Sequence, residues 1–522
     1  MDSLYLYFPV LFFVLYIISH HFLHKLQNLP PSPFPALPFI GHLYLLGKPF
    51  HRALFKVSNR YGPVVFLQFG SRPVLLVSSP SAAEECFTKN DIIFANRPDF
   101  LSGKHFGYNF TSLAWSSYGE HWRNLRRISS REVLSSYRIQ TLSSIRSDEI
   151  NYLRRRLFRV STESSEEPVE MKSSLFNFTF NVISRMIAGK RYYGEKVENS
   201  KEATLFQDIS KDTINTIPKS NILDFLPFMK WFGLNSVEEK MREVQEKRDN
   251  FMQKEIDEHR RLKTSGSFPS AEVVAGKKKT IMEVLLDLQK TDPEYYTDET
   301  IRNLMFIHFV FLCMEVLLQA GSDTSAVTLE WAFSHLLDNP EILKAAQTEI
   351  DNHVGQDRLI DESDLAQLPY IRCIINETLR MHPAAPLLVP HFSSEECKVA
   401  GYRVPRGTIL IVNAWGIHHD PKVWEEPEKF NPDRLIGFEG AKEGCKFIPF
   451  GSGRRGCPGE NLAIHVIGLA LASLLQCFEW DKPNREIIDM SEGTGFTLSP
   501  KVQPLLAKCA LRPNMVKLLS EI

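Results

Sequence analysis

The segment FIPFGSGRRGCPGENLA, residues 447–463, restricts this chain more than any other stretch. It sets one cysteine, Cys457, among glycines at 451, 453, 456 and 459, just before an apolar run from Asn461 to Leu475. That run predicts a buried helix, so the sulfur falls at a helix N-terminus. Cysteine ligates a metal only as thiolate, which backbone N–H groups and the positive end of a helix favour. Pro458 suits a first helical turn, where no N–H is needed. The glycines permit a tight loop whose backbone can approach a flat ligand closely. The competing reading is a glycine-rich turn around a buried structural cysteine. It accounts for Cys457 but not for the ordered spacing F-x-x-G-x-R-x-C-x-G, made here by Phe450, Gly453, Arg455, Cys457 and Gly459.

The other cysteines stand at 86, 313, 373, 397, 445, 477 and 509 with no CxxC pair, which argues against a zinc site. They read as reduced thiols that pack as small hydrophobes. Lys plus Arg number 61 against 62 Asp plus Glu, a balance that excludes a general nucleic-acid binder.

Residues 3–24 carry no Lys, Arg, Asp or Glu, and Leu4 to Ile18 is apolar throughout. About 20 such residues cross a bilayer core. No positive stretch precedes the run and no small-x-small site follows, so an uncleaved anchor is expected over a cleaved signal peptide. Lys25 follows it, and the positive-inside rule places the rest of the chain in the cytosol. Prolines at 30, 31, 33, 35 and 38 cannot continue a helix and predict a stiff, extended spacer. The expected organisation is an anchor over 1–24, a proline-rich hinge over 25–41 and one large domain over 42–522.

Val64–Gln68 and Val74–Val77 predict a hairpin, and Thr408–Val412 a further strand. Residues 281–290, 297–338 and 364–381 predict helices, the second very long. The fold class expected is mainly α with small β-sheets.

Four further motifs precede the cysteine loop. Trp122 and Arg126 form W-x-x-x-R; Ala320-Gly321-Ser322-Asp323-Thr324 form A-G-x-D-T inside the long helix; Glu377 and Arg380 form E-x-x-R; Phe430, Pro432 and Arg434 form F-x-P-x-R. Residues three apart on a helix share a face, so Glu377 and Arg380 can pair. Each motif taken singly is an ordinary helix or loop feature. In this order they resemble the cytochrome P-450 superfamily. DTSAVTLEWAFSHLLDNPEIL (323–343), ETLRMHPAAPLLVPH (377–391) and VNAWGIHHDP (412–421) resemble its plant flavonoid branch, nearest the isoflavone 2'- and 3'-hydroxylases.

The resemblance implies a cytochrome P-450 fold with one N-terminal transmembrane helix. It implies haem b (iron protoporphyrin IX) with Cys457 as axial ligand of the iron, a thiolate that favours O–O cleavage. Trp122, Arg126, His391 and Arg455 would hold the propionates, and Phe450, Gly453 and Gly459 would shape the loop. Asp323 and Thr324 would relay protons to bound oxygen. Glu377, Arg380 and Arg434 would form a structural triad. The implied partners are O2, NADPH-cytochrome P-450 reductase passing on NADPH electrons, membrane lipid and a small apolar aromatic substrate, a flavonoid or isoflavone ring. The implied location is the endoplasmic reticulum membrane, single-pass, with the catalytic domain cytosolic. Substrate contacts would come from Leu101–Ser117, Ile214–Phe225, the helix before Thr324, Ala384–Val389 and Phe496–Leu498.

One stretch departs from the family pattern. FIHFVFLCME, residues 306–315, lengthens the apolar run before A-G-x-D-T. The surplus of about nine residues would turn the upstream helix by about half a turn and shift it ~13.5 Å. From Val316 onward the distances to Glu377 and Cys457 are family-like, so Thr324 keeps its place if a loop near Asp292–Glu299 absorbs the surplus. Two other readings stay open: a haem-thiolate isomerase or dehydratase that needs no reductase, and a haem-binding but inactive splice form.

Overall fold

Two short, largely apolar runs on either side of Gly70-Ser71 close into a hairpin. β1 (Val64–Phe69) pairs antiparallel with β2 (Arg72–Val77). Two later strands, β3 (His391–Phe392) and β4 (Ile409–Val412), complete a four-stranded sheet in the order β1-β2-β4-β3. β4 runs parallel to β2 and antiparallel to β3. The computed structural model describes all residues except 1–10, 12–14, 17, 20–21, 23, 164–166, 195–200, 234, 266–278, 310–317, 439, 484–486 and 494–498.

Helices make up most of the rest. Those that position the site are α1 (Phe50–Tyr61), α2 (Glu120–Ile128), α3 (Met171–Ala188), α4 (Lys201–Phe225), α5 (Asp298–Phe309), α6 (Leu318–Asp338), α7 (Pro369–Met381), α8 (Ala414–His418) and α9 (Glu460–Cys477). α6 packs against α3, α7 and α9. Leu329, Trp331, Ala332, Phe333 and Leu336 on α6 have no exposed surface, so the helix is buried on all sides. Among the described residues only α9 is long and apolar enough to cross a membrane, and it lies inside the protein. The described residues between Leu11 and Leu26 are helical and mostly exposed; most of the expected anchor lies outside the described residues.

The structure corrects one expectation. The helix expected over 364–381 starts only at Pro369; Glu362–Gln367 is a separate 3-10 turn. Asp361 caps that turn by accepting from Ser363 N at 2.7 Å, and Pro369 has no N–H to join the two into one ladder. The helix expected over 297–338 is described as α5 and α6, and the surplus within 306–315 falls mostly on residues outside the description. A loop does separate the helix ending at Thr291 from α5. The proline-rich segment makes backbone contacts to the sheet. Pro31 O accepts from Phe66 N at 2.9 Å, His42 Nε2 bonds Pro33 O at 2.8 Å, and Gly41 bridges to Phe69. Proline lacks an N–H but keeps its carbonyl, so this segment can still dock on β1 as an acceptor.

Gly70 adopts φ +57°, and a Cβ there would lie 1.9 Å from Phe225 O at the end of α4. Gly355 also has positive φ, +80°, but open space around it. Gly355→Ala should cost about 1 kcal/mol, the left-handed strain alone. Gly70→Ala should cost clearly more, read as a larger drop in melting temperature of the purified protein. Equal drops would mean that the α4 contact carries no weight.

Candidate active site

The cysteine loop is held by its own backbone. Cys457 N donates to Phe450 O at 2.9 Å, and Gly456 N donates to Gly453 O at 3.0 Å. Gly459 is the N-cap of α9, so Pro458 precedes the helix rather than opening its first turn. The Gly459 and Glu460 N–H groups point at the sulfur, as the sequence predicts. Burial nevertheless outweighs them and the nearby Arg126, pushing the Cys457 thiol up to about 11. A cation bound to the sulfur would favour the thiolate. Gly453 lies against a neighbouring turn. It has φ +69°, and a Cβ would meet Phe87 O at 2.8 Å and Asp91 Oδ1 at 2.6 Å. It lets the loop close on the Asp91–Phe94 turn, where Asp91 Oδ1 accepts from Arg454 N at 3.1 Å.

The sulfur lies on the wall of a largely apolar cavity, part of it open to solvent. Phe450, Cys457 and Gly459 form one wall; Thr324, Ser325 and Thr328 of α6 and residues Ala384, Ala385, Leu388 and Val389 form others. Thr324 thus lies where the sequence placed it. Asp323 does not line the cavity. Nor, among the described residues, does Ile214–Phe225, and Phe496–Leu498 is not described.

A smaller space adjoins at Arg97, Val389 and Arg455 and is also lined by Trp115, Trp122 and Arg126. Three expected residues therefore meet here: Trp122, Arg126 and Arg455. His391 stands on the larger cavity, its Nδ1 bonded to Phe94 O at 2.8 Å. Arg97 is a third guanidinium here, one that the motifs missed. It donates to Ala114 O, Val389 O and Pro390 O at 2.7–3.1 Å. Arg455 donates to Ala95 O and Leu113 O, and Trp122 Nε1 also donates to Leu113 O at 3.1 Å. Burial lowers Arg97 to about 9 and also lowers Arg126, Arg455 and His391. Among the described residues none of the three arginines pairs with a carboxylate. The Trp115 indole N–H beside them is buried without an acceptor. Burying several positive charges without an anion is costly, so this end fits a ligand bearing carboxylates.

The triad assembles as the sequence implies. Arg380 Nε and Nη2 donate to the two oxygens of Glu377 at 2.8 and 2.9 Å. Arg434 Nε adds a bond at 3.1 Å and Asn431 N one at 3.0 Å. His418, absent from the sequence reading, links this cluster to the cysteine loop. Its Nδ1 bonds Arg380 O at 3.2 Å, and its Nε2 accepts from Ile448 N at 3.0 Å. An N–H donor at one nitrogen and a carbonyl at the other fix the neutral Nδ1–H tautomer. A lone histidine in a HH pair carries no sequence signal for such a role.

Burial, with Arg380 nearby, lowers His418 to about 3. Unfolded histidine titrates near 6.5. The neutral form's contribution is complete above pH ~6.5 and is lost as pH falls through about 3, at about 1.4 kcal/mol per pH unit. His418→Gln should reduce the pH slope of urea stability between pH 6 and 4 by about one proton. An unchanged slope would show that His418 already carries its proton in the fold.

The Cytochrome P450 family matches residues 30–506. "Cytochrome P450 81Q32" of Catharanthus roseus is 50% identical over 95% of this chain and 94% of its own length. "Isoflavone 2'-hydroxylase" of Glycyrrhiza echinata is 46% identical over 99% and 98%, and "Isoflavone 3'-hydroxylase" of Medicago truncatula 44% over 94% and 94%. A zebrafish cytochrome P450 structure with abiraterone superposes with a TM-score of 0.71, covering 88% of this chain and 99% of that one at 24% identity, a likeness of fold. With the cysteine wall, the cationic end and the Glu377 cluster in place, the chain belongs to the cytochrome P450 family and is a haem-dependent monooxygenase supplied with electrons by a redox partner.

Proposed function

We propose that this chain hydroxylates an aromatic ring of a flavonoid or isoflavone, using haem b, O2 and NADPH electrons delivered by NADPH-cytochrome P-450 reductase. The observation that carries the haem b reading is the charge pattern: one sulfur on the wall, and buried guanidiniums at the adjoining end that have no carboxylate partner among the described residues. Haem b brings an iron for the sulfur and two carboxylates for the arginines. When bound, it supplies oxygen activation. Cys457 would ligate the iron, and Arg97, Arg126, Trp122, Trp115, His391 and Arg455 would hold the carboxylate end. Thr324 places a hydroxyl on the cavity wall, and Asp323, the preceding residue on α6, would be the proton source that the A-G-x-D-T motif implies. Ala384, Ala385 and Leu388 give the substrate side an apolar wall that suits a flat ring.

The substrate class rests on relatives whose names record isoflavone hydroxylation. The apolar N-terminal run supports an anchor over 1–24 in the endoplasmic reticulum membrane, followed by the hinge over 25–41 and a cytosolic catalytic domain over 42–522.

Microsomes containing the protein should show the red-shifted Soret band of a thiolate-bound carbon-monoxide complex, and Cys457→Ala should abolish it. An isoflavone should be hydroxylated only when both NADPH and reductase are supplied; turnover without them would favour the isomerase or dehydratase chemistry. Removing residues 306–314 separates the active from the inactive reading of the surplus, which is sustained as inactivating if only the shortened chain gives the band. Arg97→Ala removes charge-assisted bonds worth about 1.5–3 kcal/mol and should speed haem transfer to apomyoglobin about 10-fold or more. An unchanged transfer rate would remove Arg97 from the haem-holding set.

A further inference from the structure

Beside the cavity lies a buried stack that joins two of its walls. Thr324, Thr328 and Trp331 fall on one stripe of α6 at i, i+4 and i+7. The first two line the cavity. Trp331 lies one turn further on, fully buried, with the His382 ring stacked on it at 3.8 Å and 2° between planes. Lys501 Nζ stands 4.6 Å from the indole centroid, on the face that His382 leaves open, and the indole N–H donates to Ser499 O at 3.0 Å.

His382 is the C-cap of α7, between Leu379 and Ala384 of the cavity lining. Its ring is over-determined. Nδ1 faces the Glu492 carboxylate at 3.2 Å, and that carboxylate also takes bonds from His51 and Arg52 of α1 at 2.8 Å. A carboxylate only accepts, so Nδ1 carries the proton and Nε2 accepts from His335 Nε2 at 3.0 Å. Immediately downstream, Leu388 on the cavity wall sits at φ +51°, a strained conformation that persists only where its surroundings impose it. Trp415 N, bonded to Pro386 O at 3.0 Å, holds the same loop from the other side.

We infer that His382 is a positioning residue whose stack on Trp331 fixes the separation between the Thr324–Thr328 wall and the Ala384–Val389 wall, and so the grip on a flat ligand between them. The inference rests on the reading that these walls face the ligand side of the haem, and not on the substrate's identity. The chain of contacts is continuous: α1 and Glu492 hold His382, His382 holds Trp331, and Trp331 sits on the helix that carries Thr324. Removal of the stack leaves the sulfur, the arginines and Thr324 in place but unties the second wall.

The test uses azoles that ligate iron directly, so no flavonoid is needed. Imidazole and 4-phenylimidazole are titrated optically into the haem-loaded full chain, its His382→Leu variant and its His382→Phe variant. Leu fills much of the volume without stacking as a plane; Phe keeps the stack but loses both hydrogen bonds. His382→Leu should keep the carbon-monoxide band and its imidazole affinity and bind 4-phenylimidazole about 10-fold more weakly, while His382→Phe stays within about twofold of the parent. A 4-phenylimidazole affinity within about twofold in the Leu variant overturns the inference. So does an equal loss in both variants, which would assign the effect to the hydrogen bonds, and so does loss of haem from both, which would assign His382 to folding. A parent protein in which neither azole shifts the spectrum would overturn the haem reading itself, and with it this inference, whereas failure to hydroxylate flavonoids would touch only the proposed substrate.

Discussion

The carboxylate of Glu377 is fully buried, and the guanidiniums of Arg380 and Arg434 compensate its charge. Three parts of the chain meet there: α7 supplies Glu377 and Arg380, the turn after Phe430 supplies Asn431 and Arg434, and α8 receives Arg380 Nη1 on His418 O at 2.8 Å. His418 then passes the constraint to Ile448, where the cysteine loop begins. The position of the sulfur is thus set by a cluster that does not touch the cavity's ligand. Removing one partner from a buried pair of this kind costs about 3–5 kcal/mol, because the survivor is left charged and unsolvated. The geometry of the sulfur and the stability of the fold are, for that reason, hard to vary independently.

The cavity carries the opposite imbalance. Arg97, Arg126 and Arg455 gather without a carboxylate among the described residues, and burial depresses all three. Carbonyl oxygens of Ala95, Leu113, Ala114, Val389 and Pro390 satisfy many of the donors but contribute no charge. A ligand with two carboxylates and a metal ion corrects both defects together, the cationic end and the buried thiol. Ligand binding of this kind stabilises the folded chain by mass action. Haem binding here is therefore a term in the folding equilibrium as well as a catalytic requirement.

The sequence revealed what local spacing encodes. Cys457 in its loop, the i, i+3 pair Glu377–Arg380 and the i, i+4 pair Trp122–Arg126 are neighbours along the chain, so their chemistry can be read from adjacent letters. Arg434 could be added because its motif names it. Arg97 and His418 could not, since each acquires its role from partners far away in sequence: Arg97 from Pro390 and Val389, His418 from Ile448 and Arg380. The one error has the same origin. Periodicity joined residues 364–367 to α7, but a capped 3-10 turn and Pro369 separate them. Proline density predicted a stiff, extended segment and could not show that Phe66 N would bond one of its carbonyls.

The lengthened run before A-G-x-D-T bears on catalysis only if it can move Thr324, and the contacts of α6 decide that. Ser322 O accepts from Thr179 of α3 at 2.9 Å, Glu330 Oε1 accepts from Leu505 N at 2.8 Å, and Trp331 is held by His382 and Ser499. All of these lie at or beyond Ser322, on the C-terminal side of the surplus. A register shift by one residue would turn the helix by 100° and break every one of them. Thr324 is therefore anchored by contacts of α6 at and beyond Ser322.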